Sequence, residues 1–212
     1  MSEILQAMFG QFRKPTGWLA GLAGLGMNRG HEKVWRWGLA HIAIQPDAVV
    51  LDAGCGGGGA VRILAQAASC GKVYGVDYSE DVLPTARRVN RALIKQGRVE
   101  IKHGSVSNLP FPDDTFDLAT AFETTIFWPS LVDDLREVRR VLKPGGILLI
   151  ANEAYADARF EERNAKWSRL VNFHLQTPEG TLQCLVEAGY AQVEIDTFSE
   201  KNWIAAIAQK KG

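Results

Sequence analysis

The chain predicts an α/β fold: a mostly parallel sheet of seven strands, helices on both faces, and an antiparallel hairpin strand at the C-terminal end. Three observations carry this. From Ala48 to Ala151 short apolar runs alternate with helix-period segments, as expected of β–α units built around a buried parallel sheet. The first of these runs ends in the cluster Gly54-Cys55-Gly56-Gly57-Gly58-Gly59, where a strand must turn sharply into a helix. Ala191–Phe198 and Trp203–Gln209 are joined only by Ser199-Glu200-Lys201-Asn202. That is too little chain for a crossover helix, so the last pair must be antiparallel.

The elements follow in order. Residues 1–45 are rich in Gly, Trp and Phe and are expected to form a helical lid or cap. Within them His31–Ile44 reads as a helix, with Trp35, Leu39 and Ile42 on one face. Pro46 and Asp47 break it. Residues 46–212 form the main domain. Val49-Val50-Leu51 is its first strand and 59–69 an Ala-rich helix. Lys72–Val76 is the second strand, ending at Asp77. Ser79 or Asp81 can cap the next helix, whose face is Val82, Ala86, Val89 and Leu93. Arg98–Lys102 and Phe116–Phe122 are strands three and four. Leu131–Leu142 is a helix with acids early and bases late, matching its dipole. Pro144-Gly145-Gly146 stops it, and Ile147–Ala151 is strand five. Residues 154–176 read as a helical insertion covering the substrate. Thr177 then caps a helix with Pro178 at its first position, ending at Gly189.

Composition narrows the function. At 212 residues and 46% apolar the chain can bury one core. Lys+Arg and Asp+Glu balance at 24 each, which leaves no excess charge for a nucleic-acid backbone or an anionic membrane. Cys55, Cys70 and Cys184 are sparse and unpaired in spacing, as in a reducing compartment, and no cluster of metal-ligand spacing is present. Glu3, Arg13 and Lys14 interrupt the N-terminal stretch, so it does not read as a signal peptide. The apolar stretch Gly17–Met27 is too short to span a bilayer. The expectation is a cytoplasmic protein without stable membrane insertion, acting on a small molecule. A homodimer is left open.

The glycine loop is the centre of the chemistry. A helix N-terminus there offers free N–H groups, and ligands bind at the carboxyl ends of such strands. Asp77, at the end of strand two, can accept hydrogen bonds from a ribose diol. Gly54-x-Gly56-x-x-Gly59 also satisfies a dinucleotide fingerprint, so an NAD(P)-dependent oxidoreductase is one alternative. Asp52 argues against it: an acid beside the loop repels a pyrophosphate but welcomes an amino group or a sulfonium. The terminal hairpin argues against it too, since a dinucleotide domain repeats a βαβ half instead.

Four stretches then carry a resemblance: Val50-Leu51-Asp52-Ala53-Gly54-Cys55-Gly56-Gly57-Gly58, Val73-Tyr74-Gly75-Val76-Asp77-Tyr78-Ser79, Leu109-Pro110-Phe111-Pro112-Asp113-Asp114-Thr115-Phe116-Asp117, and Arg140-Val141-Leu142-Lys143-Pro144-Gly145-Gly146. In this order and spacing the chain resembles class I S-adenosylmethionine-dependent methyltransferases, in particular the ubiquinone/menaquinone-biosynthesis group. The resemblance implies a Rossmann-like sheet and S-adenosyl-L-methionine as cofactor, with S-adenosyl-L-homocysteine as product. It implies that Asp52, Gly54, Cys55 and Gly56 cradle the methionine part. Asp77 would hold the ribose, with Tyr78 beside the adenine and Ser105 and Val106 along its edge. Glu123 and Thr124 would border the methyl group, and Asn28 would reach the cofactor from the N-terminal segment. Ser105 departs from the family, which often has Asp there.

Catalytic candidates are Glu123, just after strand four, and His31. Glu153 holds the equivalent place after strand five, and His174 lies in the insertion. His41 and His103 read as structural. Trp18, Trp35, Phe127, Trp128 and Trp167 are candidates for an apolar wall. Methyl transfer is an in-line displacement in which the protein binds, orients and excludes water. A base is needed only where the acceptor must lose a proton. A second alternative is a catalytically silent S-adenosylmethionine-binding partner or sensor.

Overall fold

The computed structural model describes residues 30–171 and 174–212, with side chains described throughout except at 167–171. Its elements are α1 (Glu32–Leu39), β1 (Val49–Ala53), α2 (Gly59–Ala67), β2 (Lys72–Asp77), α3 (Leu83–Val89), α4 (Arg91–Lys95), β3 (Val99–His103), β4 (Phe116–Phe122), α5 (Leu131–Val141), β5 (Leu142–Asn152), α6 (Glu161–Val171), α7 (Pro178–Glu187), β6 (Tyr190–Phe198) and β7 (Trp203–Lys210). Single 3-10 turns cover Thr125–Phe127 and Ala158–Phe160.

The strands form one sheet in the order β3-β2-β1-β4-β5-β7-β6. Every neighbouring pair from β3 to β5 is parallel, and β7 runs antiparallel between β5 and β6. The expected sheet and hairpin are therefore present. The chain order reverses direction between β1 and β4, which opens a crevice at their carboxyl ends. Two apolar layers close the faces. One holds Val34, Trp35, Val61, Leu64 and Ala86 and the other Leu135, Val138, Leu185 and Tyr190.

α1 seats on β5 through Gly38, where an added Cβ would come within 2.7 Å of the Ala151 Cβ. It stops at Leu39, earlier than the Ile44 expected, because His41 turns back: its Nδ1 lies 2.9 Å from the Trp37 carbonyl and its Nε2 2.8 Å from Asp196 on β6. The helix expected after Asp81 is two helices. The N-cap position of the first is Val82, not the expected Ser79 or Asp81, and Val82 makes no side-chain cap bond. The chain breaks at Asn90, a fully buried amide whose Nδ2 donates to both Gly58 O and Ala86 O at 2.9 Å. That side chain competes with the helix ladder and ends it.

α5 runs directly into β5 at Leu142, five residues before the strand start expected at Ile147. Phe116 pairs with Leu142 and Leu118 with Ile147, so Lys143–Gly146 bulge out of an otherwise continuous pairing. The Pro-Gly-Gly stretch thus kinks a strand instead of stopping a helix. Thr177 caps α7 as expected, accepting from Gly180 N at 3.0 Å. Residues 1–29, with Asn28 and Trp18, lie outside the described residues.

The Asn90 amide joins the α3–α4 break to the glycine loop, so its loss is felt in both. Asn90→Ala removes one of the two donors to the Gly58 carbonyl, leaving only Arg62 N at 3.3 Å, and the lost hydrogen bond costs roughly 1 kcal/mol. Urea unfolding should show a lowered midpoint with an unchanged slope.

Candidate active site

The crevice at the carboxyl ends of β1, β2, β4 and β5 is a cleft of about 650 Å³, within the roughly 300–1,000 Å³ usual for small-molecule sites. Its floor is the glycine loop. Gly54 N and Cys55 N both donate to Val76 O, at 2.8 and 2.9 Å. Gly54 holds φ +85, and a Cβ there would stand 2.3 Å from Thr124 Oγ1. Only glycine meets both conditions. Cys55 is a buried thiol beneath the loop, pushed well up by burial and by the nearby acids Asp77 and Asp52, so it is not a thiolate nucleophile.

Asp77 lines the cleft and is 8% exposed. Its Oδ2 accepts from Gly56 N at 2.8 Å and its Oδ1 from Ser79 N at 2.9 Å. Burial raises its pKa, and those amide bonds oppose the rise. A carboxylate has about four acceptor sites, so Asp77 keeps acceptor capacity beyond these amide bonds. Tyr78, beside it, is 40% exposed and lines the same wall. Ser105 and Val106 line the far end. The Ser105 hydroxyl oxygen accepts from Ser107 N at 3.2 Å, which leaves its proton to donate.

Asp52 differs from expectation. It does not line the cleft. It is 1% exposed within β1, in register with Thr120 of β4, whose hydroxyl donates to Asp52 Oδ1 at 2.7 Å. The strand continues through Ala53, so the turn comes one residue later than the acid. Burial pushes its pKa up to about 7, the Thr120 bond opposes this and the Asp77 charge adds to it.

The opposite wall is apolar and aromatic: Trp35, Phe122, Ile126, Phe127, Trp128 and Pro129 all line the cleft. Trp128 is fixed by its indole N–H, which donates to Thr124 Oγ1 at 2.9 Å. Of the expected aromatic wall, Trp35, Phe127 and Trp128 are present, and the Trp167 side chain lies outside the described residues. Glu123, Glu153 and His31 meet on this side. Glu123 has φ 58, an uncommon value for a non-glycine residue. Its Oε1 accepts the backbone N–H of Glu153. His31 Nδ1 stands 3.4 Å from Glu153 Oε2 without the alignment of a hydrogen bond. Burial pushes Glu123 up to about 7, the His31 charge counters this, and Glu153 adds to it. For His31 burial works downward, but the approach of Glu153 and the charges of Glu123 and Glu153 outweigh it and hold the pKa above 6.5.

His174 lies outside the cleft, in a separate small cavity of about 30 Å³ with Asn152, Tyr155 and Cys184. His103 contacts the Tyr78 carbonyl and Glu80. Sequence reasoning missed Leu109, Arg163 and Asn164, which line the cleft. Leu109 sits in a stretch read as purely structural. Arg163 and Asn164 come from α6, which matches no motif. Among the described residues no group of three or more His, Cys, Asp or Glu is placed to hold a metal ion, and no helix is long and apolar enough to cross a membrane.

Comparison with known proteins places this architecture. Residues 51–150 match the family model described as "Methyltransferase domain". The chain is similar to a cycloartenol-C-24-methyltransferase of Oryza sativa subsp. japonica, 31% identical over 73% of this chain and 46% of that protein. It is similar to a demethylmenaquinone methyltransferase of Symbiobacterium thermophilum, 35% identical over 63% of this chain and 54% of that protein. The chain spans about half the length of these curated relatives. Among solved structures, a chain of the Haloferax volcanii complex between the Trm112 methyltransferase activator and a methyltransferase superposes over 100% of both chains, with a TM-score of 0.81 at 19% identity. Sheet order and cleft define a Rossmann-like methyltransferase domain. Residues 51–150 therefore carry a methyltransferase domain, and the chain is similar to methyltransferases over that domain.

Two expectations follow. Gly54→Ala forces a Cβ into Thr124 and an unfavourable φ, so S-adenosylhomocysteine affinity should fall at least tenfold by calorimetry. The second concerns Asp52, whose folded pKa lies above its ordinary 3.8. The folded state therefore holds more protons between about pH 4 and 7, and stability falls as pH rises through that window. Asp52→Asn should unfold at higher urea than wild type at pH 8, by roughly 1–3 kcal/mol, and the gain should vanish towards pH 4.

Proposed function

We propose that the chain transfers the methyl group of S-adenosyl-L-methionine to a small, largely apolar acceptor by in-line displacement. The observation that carries this is one cleft with two unlike walls. Asp77 and the glycine loop face a wall of Trp35, Phe122, Phe127 and Trp128. The first wall suits a polar nucleoside with a cationic tail, and the second suits an apolar acceptor. Both acceptors in the relatives' names, cycloartenol and demethylmenaquinone, are largely hydrocarbon.

The residues fit the cofactor as follows. The spare lone pairs of Asp77 would take the ribose hydroxyls and Tyr78 would lie beside the adenine. The Ser105 hydroxyl would donate to the adenine edge where relatives often place an acid as acceptor, and Val106 would pack there. The backbone at Gly54, Cys55 and Gly56 would meet the methionine part, with Asp52 supporting the loop from beneath. Glu123 and Thr124 would border the reacting end. The cofactor supplies an electrophilic methyl group. The chain's own residues orient the two reactants and keep water from the reacting atoms, which is most of what such a displacement needs.

Calorimetric titration with S-adenosylhomocysteine tests the reading. Wild type should bind in the micromolar range, and both Asp77→Ala and Asp77→Asn should weaken binding at least tenfold. Transfer of labelled methyl to apolar metabolites separates a transferase from a silent binding protein. No binding by wild type removes the reading, and titration with NAD(P)H comes next.

A further inference from the structure

α1 is short, yet it carries part of the cleft wall. Trp35 lies on it and His31 directly precedes it, and both line the cleft. Eight residues form at best a marginal helix alone in water, so α1 keeps its place by what it touches. Val34, Trp35 and Gly38 are buried. Gly38 seats on Ala151, and the Trp35 ring stands 6.3 Å from that of Phe122. At its N-terminal end His31 makes no side-chain cap hydrogen bond among the described residues. The polar anchor lies at the other end, in His41.

The His41 ring folds back over the last turn of α1. Its Nδ1 stands 2.9 Å from Trp37 O and 3.2 Å from Gly38 O, and its Nε2 2.8 Å from Asp196 Oδ2 on β6. Carbonyl oxygens only accept, and so does an ionised carboxylate. A neutral imidazole has one N–H and one lone pair, so it can serve α1 or β6 but not both. Only the imidazolium donates on both sides. The place also suits a cation, because the free carbonyls of a helix C-terminus form the negative end of its dipole. The Trp37 ring meets the imidazole in a T-shaped contact with centroids 4.9 Å apart. Asp196 is the acid that reaches the ring. The other charged groups on the elements around it are Glu194, two residues before Asp196 on β6, and Lys201, over the Phe198 and Trp203 rings of the hairpin. Arg62 of α2 and Lys33 of α1 are exposed, and Glu32 and Arg36 of α1 pair with each other. Burial works against the charge on His41, but the bonds to Asp196 and the two carbonyls outweigh it and hold the pKa above 6.5. The same His41 bond holds Asp196 below its usual range.

We propose that His41 is a proton-operated clasp: as an imidazolium it ties the C-terminal end of α1 to β6, and loss of its proton frees that end and loosens the part of the cleft wall that α1 carries. The sign follows from the raised ring. Its stabilising effect is complete below the ordinary value of 6.5 and is lost as pH rises through the folded value above it. The clasp acts on the wall whatever molecule fills the cleft, so it does not rest on the methyl-transfer reading.

Imidazole ¹⁵N NMR of the full chain tests the charge. Both His41 nitrogens should be protonated at acidic pH, with a midpoint above 6.5, and Asp196→Asn should lower that midpoint. Amide hydrogen exchange tests the clasp. Protection of the α1 amides, corrected for the intrinsic rate at each pH and compared with β4, should fall about fivefold or more as His41 loses its proton, the usual scale for a cation at a helix C-terminus. In Asp196→Asn the fall should move to lower pH with the midpoint. In His41→Ala protection should already be low at acidic pH. His31, at the far end of α1, also has a raised pKa, and both substitutions leave it in place. A fall that stays at the wild-type pH in both variants therefore belongs to His31 and overturns the clasp. A His41 midpoint at or below 6.5, or α1 protection that ignores the titration, overturns it too. Asp196→Asn carries the test alone if His41→Ala does not fold.

Discussion

The cleft depends on one constraint: the backbone after β1 must be held open in a turn that no side chain obstructs. Three elements hold it. Val76 O, at the end of β2, receives Gly54 N and Cys55 N, and Asp77 Oδ2 receives Gly56 N. The Asn90 amide grips Gly58 O from the break between α3 and α4. Thr124, after β4, presses on Gly54 so closely that no Cβ fits. Thr124 also anchors Trp128, so the contact that demands a glycine on one wall orients the aromatic ring of the other. Asp77 carries the double duty that makes this economical. A buried carboxylate is tolerated when its oxygens accept hydrogen bonds, and both of these do while keeping lone pairs for a ligand.

A second dependence joins two stretches of sequence that look unrelated. Arg140, in the fourth matching stretch, donates to the carbonyls of Leu109 and Phe111 in the third and pairs with Asp113 and Glu137. Asp134 and Glu137 of the same helix hold Ser107 and Leu109 N. α5 therefore clamps the whole 105–113 loop, and Ser105, Val106 and Leu109 line the cleft because of it. Their joint occurrence in the sequence has a mechanical cause. The exposed pairs in this clamp contribute little individually. The backbone carbonyls and amides they satisfy matter more.

Much of this was legible in the residues because period and punctuation are local properties. The alternation of apolar runs gave the sheet, the short Ser199–Asn202 link gave the hairpin, and Gly54–Gly59 with Asp77 gave the loop and its acid. What was illegible depends on register. Asp52 stands two residues from Gly54 in sequence, yet its place in β1 turns it onto Thr120 and away from the cleft. Glu153 joins Glu123 only because β4 and β5 pair Phe122 with Ala151. The start of β5 at Leu142 hides in a bulge that a Pro-Gly-Gly stretch does not announce. The break at Asn90 is a tertiary effect: an apolar stripe continues through it, and only the distant Gly58 carbonyl explains the amide.

The buried acids set a direction for the whole molecule. Asp52 and Glu123 are each pushed by burial to about 7, and Asp77 is raised as well. A raised acid adds stability at low pH and loses it as pH climbs through the folded value. The fold is therefore strained towards neutral pH at the residues nearest the cleft, not in the layers packed against α5 and α7. Such placement is poor design for stability alone, since an apolar residue at 52 or 123 would avoid the cost. It is sensible where a site must hold a proton, or meet a cation, out of water. The left-handed backbone at Glu123 points the same way, because a glycine would adopt φ 58 without strain and would remove the carboxylate. Backbone strain and buried charge coincide at one residue, and that residue faces the cleft.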